Sequence, residues 1–493
     1  MRDRGPRIVK IMTTPPMQTE APSPVPQPLP GLSRRRLLRS GGLGALGALG
    51  GLAPAAALAQ GGATPAPAKP RNLIFLVADG MSAGALAIAD RYAAHVVGRP
   101  LRWSALVREA GIRRSQSSTH AADSHVTDSA AASSAWSTGV KHTNGALCID
   151  PAGRRLEPLW VRARRAGLAT GVVTTTTVTH ATPAGFYCNV DKRVKEPEIA
   201  AQLLERGIDV AIGGGRKHFS DALLAAHPEV KVARTAAELN GAPAGGRLLG
   251  LMSTSHVPYA LERDAGEPPL AEMARVALNR LAAHSAGGFV LQVEGGRVDH
   301  AAHNNDAFAL VGEMMDFDAA LAVCADFARG RSDTLVVVST DHATANPGMT
   351  LYGKPGNEGL SRLAGARKSL EWVNDAVVAG AKGKSAEQIA ELALSLTREA
   401  TGIGLNGSAR EVLRRLAAKE RPDPFSERNI LYCVLGGLLS EHCGIAFVSP
   451  HHTGDFVDLF AFGPGSETLP AFIDNAELSG WIASAMDLPP AKA

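Results

Sequence analysis

The 493-residue sequence predicts an α/β protein: a large, mostly parallel sheet flanked by helices on both faces, with a helical insertion. Three observations carry that class. Short β-branched or apolar runs alternate with long Ala/Leu/Arg segments of helical period, the rhythm of parallel strands joined by crossover helices. The strand runs are largely apolar or β-branched rather than alternating, as strands covered on both faces are. Acidic and histidine residues stand just past several runs, the edge at which α/β sheets gather function.

The chain begins with an address rather than a fold. Ser33-Arg34-Arg35-Arg36-Leu37-Leu38-Arg39 is a twin-arginine pattern, followed by a Gly/Ala/Leu stretch and the A-x-A site Ala57-Leu58-Ala59. Residues 1–59 therefore read as a twin-arginine signal peptide, exported folded by the twin-arginine translocation machinery to a periplasmic or secreted destination. Its glycines and Pro54 leave the stretch only mildly hydrophobic, so no stable membrane anchor is expected. Residues 60–71, rich in Ala and Pro, read as a flexible linker.

The predicted strands are Asn72–Ala78, Thr170–Thr176, Asp209–Gly213, Gly288–Glu294, Thr334–Thr340 and Val457–Gly463, within a single domain spanning 72–485. Helical stretches between them include Ser129–Ser137, Leu156–Ala166 and Leu270–His284. The rhythm breaks at about 350–440, where Ser385–Glu399, Ser408–Lys419 and Glu427–Glu441 read as an inserted helical unit. Within it, Gly383-Lys384-Ser385 resembles the end of a phosphate-binding P-loop. The required first glycine falls on Val378, and Ser385 with Gln388 makes a helix capping box instead.

Composition narrows the function classes. The formal charge is +4, from 51 basic and 47 acidic residues. Residues 1–59 hold eight of the basic and two of the acidic ones, so the remaining chain of about 434 residues carries 43 against 45, a charge of −2. No basic surface argues for a nucleic-acid partner. Five cysteines are too few for a disulfide scaffold. Cys433 and Cys443 lie ten apart and could pair after export, whereas Cys148, Cys188 and Cys324 read as buried apolar residues.

The chemistry stands at the strand ends. Asp79 follows the first strand, with Gly80 permitting a tight turn. Glu294 ends another, and Asp299 and His303 follow at i, i+4, one helix face suited to a single metal ion. Asp341-His342 closes a third, and His452 precedes the last. Each alone reads as a capping or hydrogen-bonding residue; together they supply a metal-binding set. Asp/His mixtures suit Zn²⁺, and carboxylates with a hydroxyl suit Mg²⁺. Ser129 opens a run of small residues at a helix N-terminus, a position that favours a bound phosphate and equally suits an ordinary N-cap. As a nucleophile it needs a base or metal for activation, and no G-x-S-x-G surrounds it.

Val126-Thr127-Asp128-Ser129-Ala130 with Trp136-Ser137-Thr138-Gly139-Val140-Lys141 resembles the nucleophile motif of alkaline phosphatases. Val293-Glu294-Gly295-Gly296-Arg297-Val298-Asp299-His300 with His303, then Thr340-Asp341-His342 and His452-Thr453-Gly454, resemble that family's metal motifs in order. His180-Ala181-Thr182-Pro183-Ala184 and Gly213-Gly214-Gly215-Arg216-Lys217 match as well, so the resemblance runs from about Asn72 to Gly463. It implies an alkaline-phosphatase-like fold and phosphate monoesters as small-molecule substrates. It implies two zinc ions, one on Asp299, His303 and His452 and the other on Asp79, Asp341 and His342. A third ion, normally Mg²⁺, falls on Asp79, Thr182 and Glu294. Ser129 becomes the phosphorylated nucleophile and Arg193 the clamp on phosphoryl oxygens. His180 and His300 stand where the family varies between Asp/Lys and His; His180 could ligate the third ion, leaving Mg²⁺, Zn²⁺ or Co²⁺ open. His125, His142 and His451 are expected to be polar neighbours, and the family's habit implies a homodimer.

Rival readings come from the same superfamily and from outside it. A sulfatase needs C/S-x-P-x-R, which Ser129-Ala130-Ala131 does not provide. A phosphodiesterase of the same superfamily usually offers Thr and lacks the clamping arginine. A secreted metal- or phosphate-binding protein without turnover is the alternative of another class.

Overall fold

Ten strands hydrogen-bond into one sheet in the computed structural model, which describes residues 69–492 apart from 244 and 265. In chain order they are β1 (Asn72–Val77), β2 (Arg113–Ser118), β3 (Ala169–Thr177), β4 (Val210–Gly214), β5 (Val230–Ala233), β6 (Arg247–Leu251), β7 (Phe289–Glu294), β8 (Thr334–Ser339), β9 (Val457–Phe462) and β10 (Phe472–Asp474). Their order across the sheet is β10-β2-β9-β8-β1-β7-β3-β4-β6-β5. Neighbours run parallel except at β9, which is antiparallel to both β2 and β8.

All six predicted strands form, within about a residue at each end. Four were not anticipated. β2 reads Arg-Arg-Ser-Gln-Ser-Ser, without an apolar residue, and becomes a strand because β9 and β10 pair with it. β5, β6 and β10 are five residues or fewer, too short for a periodic signal. The signal peptide over 1–59 and the linker up to residue 68 lie outside the described residues. The linker's last residues are fixed rather than flexible: Pro70 is buried, and the Arg71 amide donates to Asp333 O at 2.8 Å. Among the described residues no helix is long and apolar enough to cross a membrane.

Two cores sandwich the sheet, and β1 feeds both because its side chains alternate between faces. Leu73, Phe75 and Val77 pack with α1 (Ser129–Thr138), while Ile74 and Leu76 pack with α2 (Leu270–His284). The short helix α3 (Arg297–His303) and the long α4 (Ala307–Ala328) also supply the second core. The predicted helix over 156–166 starts later, at Leu159, because Pro158 occupies the position before its first turn.

The insertion lies between β8 and β9 and comprises α5 (Gly353–Arg362), α6 (Leu370–Gly380), α7 (Ala386–Thr401), α8 (Gly407–Ala417) and α9 (Leu431–Cys443). It has its own core, in which Leu370, Val373, Ala393, Leu413 and Leu435 meet Phe308 and Val311 of α4. The Ser385–Gln388 capping box is present, which accounts for the sequence that resembled a P-loop. The helix expected over 427–441 instead runs from Leu431 to Cys443, after a separate 3₁₀ turn at Ser426–Arg428. A Cys433–Cys443 bridge does not fit this helix. Ten residues of α-helix separate the two by about 15 Å along the axis, whereas a disulfide needs Cα atoms within about 7 Å. All five cysteines are buried free thiols.

Candidate metal centre

The sheet brings the predicted residues to one edge. β8, β1, β7 and β3 are adjacent and parallel, in a register that sets Val77 beside both Glu294 and Ser339 and Thr174 beside Glu294. Asp79, Asp341-His342 and His180 through Thr182 therefore emerge past the ends of neighbouring strands, around Glu294. Gly80 is required at its turn: its φ is +71°, and a Cβ there would lie 2.6 Å from Asp299 Oδ1. Its free amide donates to Asp341 Oδ1 at 3.1 Å. After β7 the chain turns through Gly295-Gly296 into α3, which carries Asp299 and His303.

Three groups of ligand atoms result, each within 4.8 Å of one another: Asp299 with His303 and His452; Asp79 with Asp341 and His342; Asp79 with His180 and Glu294. Thr182 joins the third, donating to Asp79 Oδ2 at 3.1 Å. His300 belongs to none of these groups and packs edge-on against His180 and His256, with ring centroids 5.6 and 4.6 Å away. The sites adjoin: His342 and His452 stack with centroids 3.6 Å apart, and Thr344 donates to Asp299 Oδ1 at 2.6 Å beside His342.

The donor set fits cations. Asp79 Oδ1, Asp341 Oδ2 and Glu294 Oε1 are buried and have no hydrogen-bond partner, an arrangement that costs free energy unless a positive charge meets them. His303 Nδ1 faces Pro450 O, and His452 Nδ1 faces Thr127 O at 2.8 Å. Those carbonyls fix the N–H on Nδ1 and turn both Nε2 lone pairs inward, where they stand 2.9 Å apart. Two such lone pairs at that distance need a proton or a metal between them.

The electrostatics follow from crowding. Burial, then the Asp341, Asp299 and Glu294 carboxylates, push the Asp79 carboxyl well above its usual range. Burial lifts Glu294 to about 7. Burial also works against ionised Asp299, but the His303 and His452 imidazoles outweigh it and hold that carboxyl well below the ordinary value. In return Asp299 lifts His303 to about 9, against burial. Burial, then the Arg193 charge, pulls His180 far down, so it stands as a neutral imidazole.

Ser129 is the first residue of α1 and 1% exposed. The capping role falls to Asp128, whose Oδ1 accepts from the Ala131 amide at 2.9 Å. The Ser129 hydroxyl is thus spared and points into the cluster, 3.2 Å from His342 Nε2. Arg193 faces the same place. One guanidinium nitrogen donates to Asp128 Oδ2 at 3.1 Å, the other lies 2.9 Å from His180 Nε2, and the Arg193 backbone amide donates to Gly145 O at 2.7 Å. Held on two sides, the guanidinium presents its remaining N–H groups in a fixed plane. His142 proves to be a structural neighbour, bonded to Thr138 and the Ile149 carbonyl.

Sequence reasoning missed His256, Thr344 and Asn144. His256 follows β6, so recognising Leu248–Leu251 as a strand would have exposed it as another strand-end histidine. Asn144 sits in a loop without distinctive chemistry, yet its side chain bonds the backbone at both Val126 and Asp128.

A family model described as "Alkaline phosphatase" matches residues 70–488. Alkaline phosphatase 4 of Bacillus subtilis (strain 168) is 30% identical over 370 residues, covering 73% of this chain and 76% of that protein. The repressible alkaline phosphatase of Saccharomyces cerevisiae is 35% identical over 314 residues, covering 56% of this chain and 55% of that protein, so the match spans about half its length. The crystal structure of Thermus thermophilus alkaline phosphatase superposes with a TM-score of 0.78 at 35% identity, over 86% of this chain and 92% of that one.

Proposed function

The chain belongs to the alkaline phosphatase family, and from that premise we propose that it hydrolyses phosphate monoesters through a phosphoserine on Ser129. We assign one zinc to Asp299, His303 and His452, a second to Asp79, Asp341 and His342, and Mg²⁺ to Asp79, Thr182 and Glu294. His180 offers that third ion a nitrogen ligand, a donor that Zn²⁺ and Co²⁺ accept as well. Bound at these positions, such ions would acidify the serine hydroxyl and water and would neutralise the leaving oxygen.

The observation that carries the reading is the Ser129 hydroxyl, buried at a helix N-terminus within 3.2 Å of the His342 Nε2 that also faces Asp341 Oδ2 at 3.2 Å. Its oxygen forms the new bond to phosphorus as the ester P–O bond breaks and the alcohol leaves with a proton. The free N–H groups at the start of α1 favour the phosphoryl charge. Arg193, oriented by Asp128 and His180, binds two non-bridging oxygens. Water then displaces Ser129 from phosphorus, releasing inorganic phosphate. A monoester offers the guanidinium two fully charged terminal oxygens where a diester does not, which favours monoesters.

The experiment compares kcat/KM for p-nitrophenyl phosphate and bis-p-nitrophenyl phosphate, in the wild type and in Ser129→Ala. A monoester preference that Ser129→Ala abolishes is expected. A diester preference overturns the substrate class, and an undiminished Ser129→Ala enzyme overturns the phosphoserine. Export by the twin-arginine route to the periplasm or medium is supported by residues 33–59 alone, and a homodimer by family resemblance alone.

A further inference from the structure

The insertion reaches α3 through the Glu371 carboxylate and through the Cys433 thiol, which donates to His303 O at 3.7 Å. Glu371, on the first turn of α6, accepts at Oε2 from the Arg297 guanidinium at 2.8 Å and from Asn304 Nδ2 at 3.3 Å. Arg297 is the first residue of α3, and Asn304 is the residue that ends it. A single oxygen therefore straps both ends of the seven-residue helix that presents Asp299 and His303. The neighbouring contacts have the same direction. The Leu370 amide donates to Asp306 Oδ2 at 2.6 Å, and Gly436 of α9 lies so close that a Cβ would stand 2.3 Å from Asn305 O.

Arg297 gives the strap its strength. Its side chain is buried, stacked 3.6 Å over the Tyr259 ring, and one guanidinium nitrogen donates to Val257 O at 3.2 Å. Glu371 is the only carboxylate among the described residues that pairs with it directly. Removing that carboxylate leaves a buried guanidinium charge without its ion-pair partner and leaves Asn304 Nδ2, beside His303, with only the Tyr259 hydroxyl at 3.3 Å. The other ligands are held independently: Asp79 and Asp341-His342 follow β1 and β8, and Glu294 ends β7.

We infer that Glu371 is a positioning residue for one metal only: by bonding both ends of α3 it sets Asp299 and His303, and the insertion serves as a brace for that site. This rests on the ligand assignment proposed above. Groups that orient ligands typically change metal affinity by about 10–100-fold when removed, and Glu371 acts one step further out. The test uses zinc-loaded enzyme and follows release to excess 4-(2-pyridylazo)resorcinol in the wild type, Glu371→Ala, Glu371→Gln and His303→Ala. In Glu371→Ala one zinc equivalent should leave about tenfold faster while the other stays within about twofold. Glu371→Gln, which keeps an oxygen acceptor without the charge, should fall between that and the wild type. Equal acceleration of both equivalents, or of neither, overturns the brace. Thermal unfolding of the metal-free variants separates a local effect from general loosening, and Glu371→Gln decides by the same criteria if Glu371→Ala does not fold. If His303→Ala retains the wild-type stoichiometry, the ligand assignment itself fails, whatever Glu371 does.

Discussion

Asn144→Ala should disable the enzyme from a residue that touches neither metal nor phosphate. Asn144 Oδ1 accepts from the Asp128 amide at 2.7 Å and Nδ2 donates to Val126 O at 3.0 Å, bracketing the turn that leads into Ser129. That turn does three jobs. The Thr127 carbonyl orients His452, Asp128 caps α1, and the Asp128 carboxylate holds Arg193. The next residue extends the lattice, since the Gly145 amide donates to Asp128 Oδ2 at 3.0 Å and its carbonyl accepts from the Arg193 amide. Two partly buried neutral hydrogen bonds at about 0.5–1.5 kcal/mol each put the stability loss at about 1–3 kcal/mol. Catalysis should suffer more. A displacement of about 1 Å can cost about 10²-fold in rate, and Ser129 Oγ has a fixed 3.2 Å relation to His342. The expected result is kcat down about 10–100-fold with KM raised, because the Arg193 loop shifts too. Steady-state kinetics on p-nitrophenyl phosphate and a thermal melt check both. A lowered melting temperature with kcat within about twofold of wild type would show that Asn144 only stabilises the fold, and would refute the reasoning.

EDTA-treated protein should lose thermal stability as pH rises from about 6.5 to about 9. Burial holds Glu294 at about 7, and Asp299 holds His303 at about 9 against burial, so each binds its proton more tightly folded than unfolded. Stability tied to the Glu294 proton is lost as pH rises from about 4.5 to about 7, and stability tied to the His303 proton as it rises from about 6.5 to about 9. Buried His180, His256 and His300 are depressed and act in the opposite sense, but only below about pH 6.5. Metal-loaded protein should lack the slope, because the ligands shed their protons when metal binds. Calorimetry across that range decides, and a flat or rising melting temperature after EDTA treatment refutes it. Gly436→Ala should destabilise the chain by about 1–3 kcal/mol, because its Cβ would press on the Asn305 carbonyl, a backbone atom that cannot rotate away. A melting temperature equal to wild type would contradict that packing.

How far the fold was legible depends on where each element gets its strandedness or helicity. β1, Asn-Leu-Ile-Phe-Leu-Val, is buried on both faces and announces itself by composition. β2 carries no such signal, because its strand state is imposed by β9 and β10. The insertion divides in the same way. α7 and α8 are amphipathic and readable, whereas α5, Gly-Lys-Pro-Gly-Asn-Glu-Gly-Leu-Ser-Arg, has a composition that predicts a loop. It is helical because Leu360 docks in the insertion's core, a tertiary fact no local pattern contains.

The site was more legible than the fold around it, because its residues are polar groups where polar groups are out of place. What the residues alone withheld was the pairing, and His452 shows why. In an all-parallel sheet, a residue just before a strand lies at the opposite edge from residues just after the others. His452 precedes β9, whereas Asp79 and Asp341 follow β1 and β8. They meet because β9 alone runs antiparallel to its neighbours, so that its beginning lies at the edge where the parallel strands finish. Reversing that strand would carry His452 across the sheet and take it out of its group with Asp299 and His303. The antiparallel exception is therefore part of the candidate metal centre, and the insertion shares in it, because the chain between β8 and β9 must return to the edge it left instead of crossing the sheet. α5 to α9 occupy that return, which is how Glu371 comes to lie against α3.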